Sequence, residues 1–137
     1  MDALPATGDL ESLVIRTDFG SDATWSDVRN AITRPAMFRA NVKFVDDQQY
    51  EGLTPEQVLE LVPAELVHTF IFFVDRETIA RPDHPILVID LFEVPGRTFR
   101  VIPSQMWAVQ NNLVIGNADW DDFASAVDED GVFRAHS

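Results

Sequence analysis

The chain has 137 residues, which is the usual size of one domain. Hydrophobic residues make up 46% of it, which excludes a disordered chain, and the absence of cysteine excludes disulfides, thiolate metal sites and thiol chemistry. Acidic residues outnumber basic residues by 23 to 10, and the formal net charge is −13. A negative charge of this size opposes binding to nucleic-acid phosphates and to anionic membranes, so we expect no direct contact with either.

The N-terminal residues 1–12 contain proline and glycine and show no apolar period. We therefore expect a flexible leader over residues 1–12, followed by a single acidic domain over residues 13–137. The leader lacks the basic and apolar regions of a secretory signal. The longest apolar run covers residues 70–74, whereas a bilayer span needs about 20 residues. These features predict a cytoplasmic protein.

The first half of the chain alternates apolar runs with capped helical segments. Strands are predicted at residues 13–17, 41–45 and 66–74. A helix over residues 22–33 follows Ser21, a residue type that caps helices well. A second helix is predicted after Thr54, because Pro55 suits the first helical position and Gln57 is placed to close a capping box.

The second half of the chain contains a predicted hairpin and a last helix. The remaining segments are a helical turn at residues 76–80, strands at 86–92 and 98–102, a short helix at 104–110 and a short strand at 113–115. Residues 94–97 read Val-Pro-Gly-Arg, which fits a type II turn between antiparallel strands. The last helix is predicted to begin at a cap on Asn117 or Asp119 and to end at Gly131 in left-handed geometry.

The predicted order of elements is β-α-β-α-β-(α)-β-β-α. Strands that alternate with helices imply parallel strands joined by right-handed crossovers, and the late hairpin adds an antiparallel part. The sequence therefore predicts an α/β domain with a single-layer mixed sheet of five to six strands and helices packed on the sheet.

Five segments are similar in sequence and order to an uncharacterised family of small acidic bacterial proteins, known only as a domain of unknown function. The segments are LVIRTDFGSDATW at 13–25, NVKFVDDQQYEGLT at 41–54, HPILVIDL at 84–91, PGRTFRVIP at 95–103 and NNLVIGNADWDDFASAVDEDGVFR at 111–134. The resemblance implies one intact domain. It implies no catalytic residue, since none is assigned in this family.

Acidic residues follow each of the first three predicted strands. They are Asp18, Asp46, Asp47 and Asp75. If these strands are parallel, all four lie at one carboxyl edge of the sheet, where open α/β sheets bind ligands. Clustered carboxylates at such an edge could hold Mg²⁺ for a metal-assisted enzyme. The alternative is that these residues form Asx-turns and helix caps, which are common after strands.

No motif for a bound cofactor or a nucleophile is present. The chain lacks the glycine-rich loops that hold nucleotide phosphates, and its three histidines are scattered without a serine or cysteine context. We therefore expect no cofactor and expect binding rather than catalysis.

The acids gather in two stretches without a basic residue, over residues 44–75 and 101–133. The candidates for a binding surface in these stretches are Glu56 and Glu60 on the second helix and Asp119, Asp121 and Asp122 on the last helix. Such a surface either keeps the protein soluble or steers a cationic partner. We expect a small cytosolic interaction protein, of the inhibitor or immunity type, that binds a basic protein. A metal-assisted enzyme and a nucleic-acid mimic are the alternatives, and the partner and oligomeric state are left open.

Overall fold

The computed structural model describes residues 2–8, 10–34, 38–62 and 68–135. Within these ranges, six strands form one mixed sheet in the order β2-β1-β3-β4-β5-β6. The strands are β1 (Ser12–Arg16), β2 (Val42–Val45), β3 (Phe70–Val74), β4 (Ile86–Asp90), β5 (Thr98–Val101) and β6 (Val132–Phe133). The α-helices are α1 (Asp22–Thr33), α2 (Pro55–Val58), α3 (Arg76–Ala80), α4 (Met106–Val114) and α5 (Trp120–Ala124). The predicted mixed α/β fold is confirmed.

The sheet has a parallel half and a largely antiparallel half. Strand β1 pairs in parallel with β2 and β3, as the alternating order predicts. Strand β4 is antiparallel to β3 and β5, and β6 returns in parallel to β5. The predicted hairpin turn joins β4 to β5: the Arg97 N–H donates to the Val94 carbonyl at 3.2 Å, and Gly96 has a φ of +95°. A type II turn needs a positive φ at this position, which glycine adopts without strain.

Both faces of the central strands are buried, which explains their unbroken apolar runs. On the first face, Val14, Phe72 and Val88 belong to a core that also contains the inner side chains of α1, α4 and α5. On the second face, Ile15 and Phe73 pack with buried residues of the segment that connects β2 to β3. Helices thus cover both faces of a single sheet, and the first two crossovers lie on opposite faces.

The predicted caps of the two early helices are confirmed. The Ser21 hydroxyl accepts the Thr24 N–H at 3.1 Å at the start of α1. At α2, the Gln57 N–H donates to the Thr54 hydroxyl at 3.2 Å and the Thr54 N–H to the Gln57 side chain at 3.0 Å, so the capping box is closed. Helix α2 is only one turn long, and a 3₁₀ turn, Leu59–Leu61, continues it.

Two predictions for the C-terminal part are wrong. Residues 113–115 do not form a strand, because α4 runs to Val114 with Met106, Val109 and Gln110 buried at helical spacing. Gly131 does not end the last helix, since α5 is already complete at Ala124. Its φ is +79° in a tight turn that closes on Asp128 and leads directly into β6.

The described part of the predicted leader packs against the second face of the sheet. Leu4 is only 5% exposed and belongs to the same core as β1 and β3. Its N–H donates to the Leu61 carbonyl at 3.1 Å, and the Tyr50 hydroxyl donates to the Asp2 carbonyl at 3.0 Å. The core thus extends past the boundary that was predicted at residue 12. The predicted third strand is described from residue 68 onward, and its first two residues lie outside the described ranges.

Candidate functional site

Two of the four acids predicted at the strand ends line one cavity. Asp18 follows β1 and Asp75 follows β3, and both border a cavity of about 450 Å³ at the carboxyl ends of these neighbouring parallel strands. The chain leaves β1 and β2 on opposite faces of the sheet, so this is the switch point at which open α/β sheets form a crevice. Asp46 and Asp47 follow β2 and do not line the cavity.

Asp18 and Asp47 bond to residues two positions further along the chain, and Asp46 pairs with Arg16. An Asp18 carboxylate oxygen accepts the Gly20 N–H at 2.9 Å, which forms an Asx-turn. Asp47 caps a 3₁₀ turn by accepting the Gln49 N–H at 3.1 Å, and its hydrogen bonds with Gln49 lower the pKa of the carboxyl. Asp46 lies 3.2 Å from Nη1 of Arg16.

Asp75 has the most contacts of the four. It caps α3 by accepting the Thr78 N–H at 3.1 Å. Arg100 binds its two oxygens through Nη1 at 3.0 Å and Nη2 at 2.8 Å. Burial opposes the charge on Asp75, but the hydrogen bonds and charge of Arg100, helped by Thr78, hold the pKa of this carboxyl below its ordinary value. Asp75 is therefore a carboxylate whose charge is already matched inside the fold.

The histidines and acids of the described ranges contain no group of three arranged to hold a metal ion. The structure brings Asp18 and Asp75 to the edge of one cavity, and each of the four predicted acids contacts donors of the protein. Metal-assisted catalysis therefore stays a prediction. This edge of the sheet provides a cavity, but the described residues around it do not form a set of metal ligands.

Five of the ten basic side chains form ion pairs within the described ranges, and most of the acids lie at the surface. In the described part of the chain, the arginines paired with acids are Arg16, Arg81, Arg97, Arg100 and Arg134. Arg16 is the most buried of them, with 4% of its side chain exposed and its guanidinium over the Phe19 ring. Among the described acids, only Asp90 is buried. The excess of acids over bases is therefore concentrated on the surface.

The two acids predicted on the second helix are exposed but do not share a helix. Glu56 lies in α2, and Glu60 lies in the 3₁₀ turn that follows. None of the large apolar side chains that are exposed in the described ranges lies in this segment.

A second acidic surface contains exposed apolar side chains, and we call it the hairpin patch. Its apolar members lie in the β4–β5 turn and at the end of α4, and its acidic members lie in the same turn and at the start of α5. The hairpin patch comprises Phe92, Glu93, Val94, Ile115, Asp119, Asp121 and Asp122. Phe92 is 67% exposed, Val94 53% and Ile115 61%.

A cavity of about 210 Å³ joins these segments. Phe92 and Glu93 from the hairpin line it together with Leu113, Gly116 and Asp119 from the helical segment. The cavity shows that residues about 25 positions apart along the chain meet on one surface. No local pattern in the sequence predicts this meeting.

The acids at the start of α5 form hydrogen bonds and an ion pair with nearby groups and are also exposed to solvent. Asp119 is the N-cap residue of α5, one of the two predicted positions, and its N–H donates to an Asp122 carboxylate oxygen at 2.8 Å. Asp121 lies 3.7 Å from Nη1 of Arg97 and keeps 84% of its side chain exposed. The three acids that were predicted as a binding surface therefore lie together, on the side of α5 that faces solvent.

Asp90 holds the hairpin in place from below. Its oxygens accept the N–H groups of Phe92 at 2.8 Å and Val94 at 3.0 Å, and Arg97 Nε donates at 2.7 Å. The Arg97 guanidinium also lies over the Trp120 ring, 5.0 Å from its centroid. Burial opposes ionisation of Asp90, but these backbone N–H groups and Arg97 hold its pKa below the ordinary value. The sequence analysis did not identify Asp90. The pattern that could have indicated it is an acid at the end of an apolar strand, directly before a turn.

None of the helices in the described ranges has the length and hydropathy needed to cross a membrane. No curated protein matches the chain. A family model with the description "Domain of unknown function (DUF6924)" matches residues 11–136. The match covers nearly the whole chain and confirms the resemblance to an uncharacterised domain family. The chain therefore belongs to the family defined by the domain of unknown function DUF6924.

Proposed function

We propose that this protein is a cytosolic binding protein that takes up a basic protein partner at the hairpin patch. The observation that carries the proposal is the cavity at which the exposed Phe92 meets the exposed acids Glu93 and Asp119. The exposed Val94 and Ile115 are each next along the chain to a residue that lines this cavity. The acids are part of the excess charge that gives the chain its net charge of −13.

The apolar side chains favour a protein as the partner. Exposed apolar patches with a polar rim are typical of protein interaction sites, and aromatic residues are enriched in them. The adjoining cavity of about 210 Å³ is smaller than a usual small-molecule pocket, which begins near about 300 Å³. Its size suits one protruding side chain of a partner.

The acids favour a basic surface on that partner. Glu93, Asp119 and Asp121 are exposed, and the single guanidinium of Arg97 is shared between Asp90, Glu93 and Asp121, so acids exceed bases among these residues. Complementary charge raises association rates by roughly 10- to 1,000-fold at low salt and selects against acidic partners. Because Asp90 holds the hairpin in place, little ordering of the loop is needed on binding, which favours affinity.

The first experiment is affinity capture with the tagged full chain at about 50 mM and at about 500 mM salt, which changes the screening length severalfold. The test variant is the double substitution Phe92→Ser and Ile115→Ser. The matched control is Leu10→Ser with Phe38→Ser, since both of these side chains are exposed apolar residues outside the patch, at 53% and 59% exposure. We expect basic proteins to be retained at low salt by the wild type and the control, and lost from the test variant.

A charge variant separates steering from packing. Asp121→Lys should weaken capture mainly by slowing association, while Glu56→Lys, at an exposed acid outside the patch, should have little effect. Retention of no basic protein at low salt, or equal retention by the patch variant, would contradict the proposal. Capture of a DNA-binding protein that added duplex DNA releases would instead support the nucleic-acid mimic.

A further inference from the structure

A second cavity lies away from the hairpin patch, where the end of α1 meets the α3–β4 loop and the 3₁₀ turn Pro103–Gln105. Its volume is about 310 Å³, and it shares no lining residue with the cavity of the hairpin patch. The apolar part of its wall is formed by Ala31, Pro82, Ile102 and Pro103, and the polar part by Arg34, Asp83, His84 and Ser104.

His84 is held in an unusual backbone conformation at the wall of this cavity. Its φ is +47°, a region that residues other than glycine rarely occupy. Its N–H donates to the Arg81 carbonyl at 3.1 Å, and its Nδ1 lies 2.9 Å from the Thr78 carbonyl oxygen. A carbonyl oxygen only accepts hydrogen bonds, so Nδ1 carries the proton in this contact. In the neutral ring the other nitrogen, Nε2, then accepts hydrogen bonds and does not donate them.

The loop around His84 is fixed from below. The buried Thr78 hydroxyl donates to the Pro85 carbonyl at 2.7 Å, and Arg100 Nη1 donates to the same oxygen at 3.1 Å. Strained backbone positions persist where the surroundings determine them in several ways, and such positions concentrate at ligand sites. The imidazole is thereby presented at the cavity wall in one orientation.

The charges at the wall leave one cation unmatched. Asp83 is paired with Arg134 Nη2 at 2.7 Å and with Arg81 Nε at 3.5 Å. Arg34 is exposed and makes no ion pair or side-chain hydrogen bond with any residue in the described ranges. In a chain with a net charge of −13, an unmatched guanidinium beside a hydroxyl donor is a local site for negative charge.

We propose that this cavity binds a small organic carboxylate with a short apolar body. Arg34 pairs with the carboxylate, since the planar guanidinium matches the two carboxylate oxygens. The Ser104 hydroxyl donates a hydrogen bond to the carboxylate, and the His84 ring and the apolar wall contact the body of the ligand. The volume lies at the lower end of the range for small-molecule sites. The site is independent of partner binding at the hairpin patch.

The test is a titration of the full chain followed by nuclear magnetic resonance, with hexanoate as the probe. Hexanamide is the neutral match, and acetate tests the apolar body. We expect saturable shifts at the His84 ring and the Ser104 amide, with hexanamide and acetate each at least about tenfold weaker than hexanoate. Shifts that stay linear up to about 50 mM hexanoate, well above millimolar affinity, would overturn the proposal.

Two variants locate the binding to this cavity. Arg34→Gln should weaken hexanoate binding by about tenfold, whereas Arg39→Gln, at an exposed arginine that does not line the cavity, should not. His84→Asn removes the imidazole while keeping a residue that tolerates positive φ, and it should also weaken binding. Hexanoate binding that is unchanged in Arg34→Gln overturns the proposal whether or not His84→Asn folds.

Discussion

Asp90 and Arg97 form an ion pair across the base of the β4–β5 hairpin. Arg97 Nε lies 2.7 Å from an Asp90 oxygen, and only 5% of the Asp90 side chain is exposed. The same carboxylate accepts two backbone N–H groups of the turn, so a single residue satisfies three donors. The hairpin patch therefore depends on a buried residue that also lines the cavity beside it.

Replacement of this carboxylate should destabilise the whole domain. Asp90→Ala leaves the Arg97 guanidinium and the N–H groups of Phe92 and Val94 without their acceptor, and loss of one partner of a buried ion pair costs about 3–5 kcal/mol. We expect urea denaturation to show a loss near the lower limit, because Arg97 retains some exposure. Glu93→Gln, at an exposed acid of the same turn, should change the free energy of unfolding by less than about 0.5 kcal/mol. A loss below about 1 kcal/mol for Asp90→Ala would show that water replaces these contacts easily.

The depressed pKa values of Asp75 and Asp90 predict a loss of stability in acid. Each carboxyl has a lower pKa in the folded chain than its ordinary value of about 3.9, which the unfolded chain adopts. Between the two values the unfolded chain binds more protons, so the stabilisation is complete above the unfolded value and is lost as the pH falls through the folded value. We expect the free energy of unfolding to fall steeply below about pH 4. Arg100→Gln should flatten this fall, and an equal slope in that variant would argue against Asp75 as a source.

The lowered pKa of His68 predicts a second dependence of stability on pH, closer to neutral pH. Burial lowers the pKa of its imidazole, although a hydrogen bond to the Pro5 carbonyl partly opposes the shift. The unfolded chain, with a histidine pKa of about 6.5, therefore takes up a proton at a higher pH than the folded chain does. The stabilisation is complete above about pH 6.5 and declines as the pH is lowered from there. Chemical denaturation at a series of pH values should show this decline in the wild type and in His84→Asn, but not in His68→Gln.

Leu4 tests whether the N-terminal segment is part of the packed domain. Its side chain is 5% exposed against the second face of the sheet, and Leu4→Ala should lower the free energy of unfolding by about 2–3 kcal/mol. Leu10→Ala, at a leucine that is 53% exposed, should change it by less than about 0.5 kcal/mol. Equal, small effects of the two substitutions would restore the prediction of a flexible leader.

Features that depend on residues close to one another along the chain could be predicted from the sequence. The Ser21 cap, the box formed by Thr54 and Gln57, and the turn at Gly96 each rest on hydrogen bonds or torsion angles within about four residues. The unbroken apolar run of β3 likewise predicted that this strand is buried on both faces. These local signals were enough for the fold class and for most of the order of elements.

Features that depend on residues far apart along the chain could not be predicted from the sequence. Residues 132–133 became a strand because the edge of β5 offers them backbone partners, with Val132 opposite Arg100, and two residues have no strand signal of their own. The ion pair of Asp75 with Arg100 and the meeting of Phe92 with Gly116 likewise join segments that are separate in sequence. Helix capping is settled by short-range geometry, whereas strand pairing, burial and the neighbours of a charge depend on which surfaces meet after the chain has folded.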